Sequence, residues 1–308
     1  LTQLWQPKRL FFNTSWWFYG SEDKFEKANK TKLTAMDIGV YYPLKGLSNM
    51  EIAALASSQH RCQGFGRMGS RGTEKEYVEL LKGSMPQVGN DIFQGINTTW
   101  SRVEGGENIG KILYAIEKNF DFINPSKHLP QLLEAYKLIQ KIPDSHWRTL
   151  KSMELKDIIT KVTGLYLEAS ASVPNTDPGS TIEVHVETTN RSNSDITLKS
   201  ITLSPANSGI SPNIKLGDNV RQTFDIPLQV PLSTPYSSPY WLTEKGSLGM
   251  YTVNEQELIG RPETPPAFTA QFILEFNGYE IPIDLPVNYH YAKPDKGEIY
   301  QPFEVLPK

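Results

Sequence analysis

One cysteine, Cys62, stands in a chain of 308 residues. No internal disulfide can form, and a cysteine-rich zinc site is excluded with it. Histidine is also sparse: the five are His60, His128, His146, His185 and His290. None recurs at i+4 and none opens an H-x-x-E pattern, so no helix face carries a readable metal motif. Net charge is only −3, and no basic run is present to track a phosphate backbone, so nothing marks a nucleic-acid partner. The longest apolar stretches, such as 268–276, are far too short for a membrane-spanning helix. No G-x-S-x-G is found, which removes the nucleophile elbow of the α/β hydrolases. Cys62 has no histidine in a recognisable catalytic context and reads as a packed thiol.

Hydrophobic content of 38% with 11% aromatic is enough for buried cores, and the length fits two domains or three small ones. The run from Asp37 to Gly72 carries the most information. It reads as strand, turn, helix and then a glycine-arginine loop, the grammar of the closing edge of an α/β domain. Because the chain opens on Leu1 and reaches this grammar almost at once, it is expected to be a piece of a longer protein. Short strands are expected at 9–12 and 36–41. A helix starts at Ser48, where Ser48 and Glu51 spell a capping box, with Ile52, Leu55 and Ala56 as its buried face and Gly64 as its stop. Further helices carry Ile109, Ile112, Leu113 and Ile116, then Leu129, Leu132, Leu133, Tyr136 and Ile139, then Leu155, Ile158, Ile159 and Val162, each at one-face spacing. Pro143 ends the second of these and Gly164 the third, giving a helical hairpin over about 126–164.

Near residue 170 the composition shifts to Thr, Ser, Pro, Asn and alternating β-branched residues. Strands are expected at 166–173, 181–188, 196–203, 221–230, 268–276, 279–287 and 298–305. Asn277-Gly278 between two apolar runs signals a type I′ hairpin, which needs positive φ at both positions. Seven strands with turn punctuation fit an immunoglobulin-like sandwich, interrupted by a long Pro-, Tyr- and Ser-rich insertion at 231–266. Stretches of that length without regular structure are usually functional or disordered. The fold class is therefore α+β: the end of an α/β hydrolase-type domain over 1–125, a helical connector over 126–168, and an antiparallel immunoglobulin-like β-sandwich over 169–308.

Candidate chemistry is limited. Gly64, Gly66 and Gly69 match G-x-G-x-x-G, but they follow a helix rather than a strand, which is the wrong context for a dinucleotide. Two readings of this loop stand: a ligand loop presenting backbone amides with Arg67 or Arg71, or a tight glycine turn with solvated arginines. Trp16, Trp17, Phe18 and Tyr19 form one aromatic cluster. Tyr236, Tyr240, Trp241 and Tyr251 form another inside the insertion. Exposed rings stack well on sugars, whereas the alternative for both clusters is to plug an interface. His185 is expected on a solvent face, and His146 as a capping or packing residue beside Trp147.

The segments W-Q-P-K-R-L-F-F-N-T, M-D-I-G-V-Y-Y-P-L-K-G-L-S-N-M-E-I-A-A-L-A-S-S-Q-H-R-C-Q-G-F-G, S-R-G-T-E-K-E-Y and G-I-N-T-T-W-S-R-V together resemble the later part of large bacterial PIG-L (LmbE-like) deacetylases. The resemblance covers residues 5–104, and more loosely the region up to about 170 with the L-E-A-x-A opening of the β part. It implies a zinc-dependent parent that removes acetyl groups from N-acetylglucosamine-type amides, its zinc-bound water attacking the carbonyl with an aspartate as base. That family's A-H-P-D-D-E and H-x-x-H segments are absent here. Zinc is accordingly expected in a preceding part of the protein, with no cofactor and no catalytic or metal-ligating residue in this chain. Q-H-R-C-Q is similar to the family's H-x-S-Q ending, with Cys62 in place of serine. His60 and Gln63, with Arg67 and Arg71 after them, and Trp16 and Trp17 of the first aromatic cluster become candidates to face a substrate cleft. The alternative is that His60 caps its helix and Gln63 satisfies backbone groups.

Three functions stay open. The chain is the accessory part of such a deacetylase, inactive alone and contacting its catalytic half; or a module gripping a glycan through Tyr240 and Trp241; or a spacer. The resemblance implies a periplasmic or secreted location.

Overall fold

The computed structural model describes residues 6–87 and 91–308, and it is a mixed α+β protein with mostly antiparallel sheets. It divides into two compact units, one up to residue 97 and one from residue 98 onward. Residues 98–125, grouped by sequence with the first segment, belong to the second unit.

The first unit runs β1 (Leu10–Thr14), α1 (Glu22–Lys27), β2 (Leu33–Asp37), β3 (Tyr41–Tyr42), β4 (Leu47–Ser48), α2 (Asn49–Ser57) and β5 (Lys75–Lys82). Its main sheet is antiparallel in the order β1-β5-β2, with Thr14 opposite Tyr77 and Thr34 opposite Val78. Patterning assigns no strand to K-E-Y-V-E-L-L-K, yet β5 is the centre of the sheet. Two flanking partners, rather than propensity, hold it extended. Helix α1 covers this sheet through Phe25, which is buried and meets the Tyr77 ring edge-on at 4.9 Å.

The capping box of α2 forms as expected: Ser48 Oγ accepts the Glu51 N–H at 3.3 Å, and Glu51 Oε2 accepts the Ser48 N–H at 3.0 Å. The expected burial does not follow. Ala54 is the buried residue of the helix, and Leu55 is 56% exposed. The helix ends at Ser57, and Gly64 instead closes a separate 3-10 turn over Arg61–Gln63.

In the second unit, α3 (Glu107–Lys118), α4 (Leu129–Ile139) and α5 (Ser145–Val162) bury Ile109, Ile116, Leu132, Leu133, Ile139, Leu155 and Ile159 in one core. Asp144 caps α5 by accepting the N–H groups of His146 and Trp147 at 2.9 and 3.2 Å, so His146 is capped rather than the cap, and it packs edge-on against Trp147 at 5.2 Å, the other reading of its sequence position. Helix α4 ends at Ile139, ahead of Pro143. His128 is buried, accepts the Asp121 N–H at 3.2 Å and stacks on Phe120.

The β part follows as β6 (Tyr166–Ala171), β7 (Asn175–Thr176), β8 (Thr181–Thr189), β9 (Ile196–Ser204), β10 (Ser208–Ile210), β11 (Ile214–Lys215), β12 (Arg221–Gln229), β13 (Thr269–Phe276), β14 (Tyr279–Pro286), β15 (Asn288–Lys293), β16 (Gly297–Pro302) and β17 (Glu304–Val305). One five-stranded sheet has the order β10-β9-β13-β14 with β11 also on β9, and the other has the order β12-β8-β6-β15-β16. Alternate residues of both, including Val184, Val186, Ile226, Ile201, Phe272 and Leu274, are fully or almost fully buried in the same core as the helices. This period-2 burial is what the alternating sequence encodes.

Asn277 and Gly278, with φ of 49° and 78°, join β13 to β14. The β15–β16 hairpin meets β6 through one parallel register pair, Asn288 with Ser170. Side chains supplement that narrow contact. His290 Nδ1 lies 2.7 Å from Glu168 Oε1, the His290 N–H donates to Ser170 Oγ at 3.2 Å, and the Tyr166 hydroxyl donates to Glu168. Burial and the adjoining carboxylate push the Tyr166 phenol well above its ordinary pKa.

Candidate functional site

In the first unit the loop after α2 is sewn back onto β2. Asp37 Oδ1 accepts the N–H groups of Gly39 at 2.8 Å and Glu74 at 3.1 Å, and the Ile38 N–H donates to Glu74 O at 2.8 Å. The crossing is tight: a Cβ on Gly39 would stand 1.9 Å from Gly72 O. Only a residue without a side chain fits there.

This fold-back brings Arg71 to the start of α2, where its Nε lies 3.0 Å from Glu51 Oε1 and its Nη1 donates to Gly69 O at 3.1 Å. The Glu51 carboxyl is held below its ordinary pKa by its hydrogen bonds from the Ser48 backbone and hydroxyl, with a smaller contribution from Arg71. His60 Nδ1 and Gln63 Oε1 lie 2.8 Å apart and both residues are exposed. His60 therefore caps nothing, and its hydrogen-bond partner is Gln63 rather than the backbone. Arg67 is exposed, and Cys62 is exposed rather than packed because the 3-10 turn carrying it lies on the surface.

Trp16 and Trp17 follow β1 in a 3-10 turn and are 46% and 69% exposed, with Phe18 edge-on to Trp17 and to Phe12. Among the described residues, no hydrogen bond, ion pair or ring contact joins the His60–Gln63 pair to Arg71, Trp16 or Trp17. His60 is bonded to Gln63, Arg71 to Glu51, and Trp17 meets Phe18, so none of these contacts links one candidate pair to another.

In the second unit the 231–266 insertion is ordered by its own hydrogen bonds. Its start is fixed to β17, the Ser237 N–H donating to Val305 O at 2.7 Å and the Val305 N–H to Ser237 Oγ at 2.9 Å. Tyr240 opens a 3-10 turn, its N–H donating to Thr264 Oγ1 at 3.0 Å and its hydroxyl to Arg261 O at 3.0 Å. Ser247 and Met250 exchange backbone hydrogen bonds across a tight bridge. These ties enclose an open groove of about 610 Å³ lined by Tyr240, Trp241, Met250, Tyr251, Ile259 and Arg261, among others. The Tyr240 and Trp241 rings meet edge-on at 4.9 Å. Tyr236, grouped with them by sequence, is exposed elsewhere and does not line the groove. Arg261 was not legible as a member: it lies twenty residues along an aperiodic stretch, and only the Tyr240–Arg261 hydrogen bond places it.

No three His, Cys, Asp or Glu side chains among the described residues are grouped so that they could hold a metal ion. The zinc that the resemblance implies has no grouped ligand set among the described residues. No helix among them is long and apolar enough to cross a membrane.

No family model matches the chain, and no curated protein matches it. Among solved structures, Pseudomonas fluorescens alkylpurine DNA glycosylase AlkC bound to DNA containing an abasic site analog aligns at 8% identity and a TM-score of 0.21, over 53% of this chain and 46% of that chain. The chain thus spans under half the length of that structure, and a likeness this slight carries no argument about fold or ligand.

Proposed function

We propose that this chain is the accessory, non-catalytic part of a PIG-L (LmbE-like) zinc-dependent amide hydrolase acting on N-acetylglucosamine-type substrates, with the zinc held by residues outside it. The observation that carries this reading is the 37–72 segment. The strand expected at 36–41 does not form: β2 ends at Asp37, and the segment instead makes a two-residue-strand hairpin (β3 with β4), a capped helix and a folded-back loop, leaving Leu55, Phe65 and Met68 exposed at 56%, 57% and 95%. In this reading these exposed apolar side chains are the part of the surface that the partner covers. The partner in this reading is the catalytic half of the same domain, and His60 and Gln63 stand at the rim of its cleft. The two five-stranded sheets are read as an immunoglobulin-like sandwich, on the strength of their antiparallel pairing and shared core. A periplasmic or secreted location belongs to this reading.

The test is deacetylation of N-acetylglucosamine oligomers by the full-length protein, assayed with zinc and after chelation. Acetate release that a chelator abolishes and zinc restores supports the assignment. Zinc-loaded full-length protein that releases no acetate from any such amide removes it.

A second reading has its own observation. The aromatic groove of the insertion, open to solvent and built around Tyr240 and Trp241, has the make-up of a sugar-binding surface. In that reading the chain grips a glycan, and the sandwich carries the grip. A glycan array probed with this chain separates it from a pure spacer role.

A further inference from the structure

We propose that the insertion groove takes a sugar bearing a carboxylate or sulfate, its ring stacked on the aromatic side chains and its oxyanion held by Arg261. This rests on the glycan-binding reading and narrows its ligand class. Among the described residues lining the groove, Arg261 is the one with a charge; the rest are aromatic, aliphatic, proline or glycine. None of the carboxylates of the segment lines it, and Glu257 meets Arg261 through its backbone carbonyl, which accepts the Arg261 Nε–H at 3.0 Å.

That single bond steers the guanidinium without neutralising it. Among the described residues neither Nη nitrogen has a hydrogen-bond partner and Arg261 enters no ion pair, its side-chain bond being the one to Glu257 O. The residue is also anchored at its base, since its backbone carbonyl accepts the Tyr240 hydroxyl and its N–H donates to Leu258 O at 3.0 Å. The result is a positioned cation beside two rings that meet edge-on.

A guanidinium with both Nη groups free matches a planar or tetrahedral oxyanion bidentately. The neighbouring rings offer the apolar faces on which sugar C–H surfaces stack. A neutral sugar would use the rings and leave the positive charge unanswered. An acidic one uses both, and charge complementarity of this kind governs selection among partners of similar shape.

The experiment is calorimetric titration of the whole chain with three probes: oligogalacturonate, a sulfated glycosaminoglycan fragment and a neutral N-acetylglucosamine oligomer. The expected result is binding of one or both acidic probes at least roughly ten-fold tighter than the neutral one, weakening as salt is raised. Oligogalacturonate and the sulfated fragment tell carboxylate from sulfate. Arg261→Gln should cost the acidic probes on the order of ten-fold in affinity and leave the neutral probe unchanged. Arg261→Lys should recover part of the loss, and Trp241→Ala should weaken all probes. Unchanged thermal melting of each variant keeps these comparisons meaningful. Equal binding of acidic and neutral probes, or acidic binding indifferent to Arg261→Gln, overturns the acidic-sugar inference and leaves the glycan reading standing. No binding of any probe overturns both.

Discussion

Arg71 Nε and Glu51 Oε1 stand 3.0 Å apart at the first turn of α2, and the other oxygen of the same carboxylate accepts the Ser48 N–H. Arg71, which the family resemblance makes a cleft candidate, thus also closes a helix start while its side chain stays 74% exposed. Between the two loop arginines, Arg67 keeps its charge free of any ion pair among the described residues and is the better candidate to meet a ligand.

Glu51 gives a pH signature to this contact. Its folded pKa is lowered from the ordinary 4.5, chiefly by hydrogen bonds from Ser48. A depressed carboxylate contributes stability that is present above its unfolded pKa and is lost as pH falls through the folded value. The Glu51 carboxyl followed by NMR should therefore titrate below 4.5, and Ser48→Ala should move its midpoint upward more than Arg71→Ala does. A midpoint at or above 4.5 would show that the capping box does not hold the ionised form. Ser48→Ala should also cost about 1 kcal/mol, as loss of an N-cap generally does.

Asp121 offers a sharper acid transition in the second unit. Its carboxyl is pulled down to about 2 by Lys127, 2.7 Å away, and by the N–H groups of Asn124 and Ile123, each at 3.0 Å. The sign is the same as for Glu51, so this stabilisation is complete above the ordinary 3.8 and fades between there and about 2. Asp121→Asn should flatten that part of the stability-against-pH curve. A curve of unchanged slope in the variant would rule the contribution out.

The β13–β14 turn should be sensitive to side-chain addition at Gly278 although space is ample. Gly278 has a φ of 78° and a Cβ there meets nothing within 4 Å. Any cost is then conformational, about 1 kcal/mol for Gly278→Ala. Phe272, fully buried in the shared core, should lose about 3–5 kcal/mol as Phe272→Ala. Urea unfolding of the two variants should rank them in that order, and equal losses would contradict the placement of Phe272.

The exposed tryptophans should behave as interface residues. Trp17 is 69% exposed and its ring contact is with Phe18. Trp17→Ser should change the stability of this chain by no more than about 0.5 kcal/mol and raise its solubility. Under the proposed accessory role, the same change should lower the melting temperature of the chain joined to its catalytic half. A loss of several kcal/mol in the chain alone would make Trp17 a core residue instead.

Much of the local structure was legible. The Ser48–Glu51 capping box, the apolar faces of the second unit's helices apart from Ile158, which is 43% exposed on α5, the Asn277-Gly278 turn and the alternation of β8, β9 and β13 all appear within a residue or two of where patterning puts them. The candidate sites were less so. Tyr240 and Trp241 do line a groove, but His60 and Gln63 hold each other, and Arg71 holds Glu51. The buried face expected for α2 does not exist in this chain, because periodicity reports which side could be buried and not whether a surface arrives to bury it.

What the sequence determined by itself is the set of structures closed by bonds between near neighbours: caps, tight turns and the period of each amphipathic element. Torsional preference and short-range hydrogen bonding decide these without help from distant residues. Tertiary structure decided the rest. It made Lys75–Lys82 the central strand of a sheet, buried the threonines Thr14 and Thr34, and set Arg261 beside Tyr240 across twenty residues of irregular chain. These outcomes depend on which surfaces meet, and that is settled by burial and pairing between segments far apart in sequence, where no local pattern carries the information.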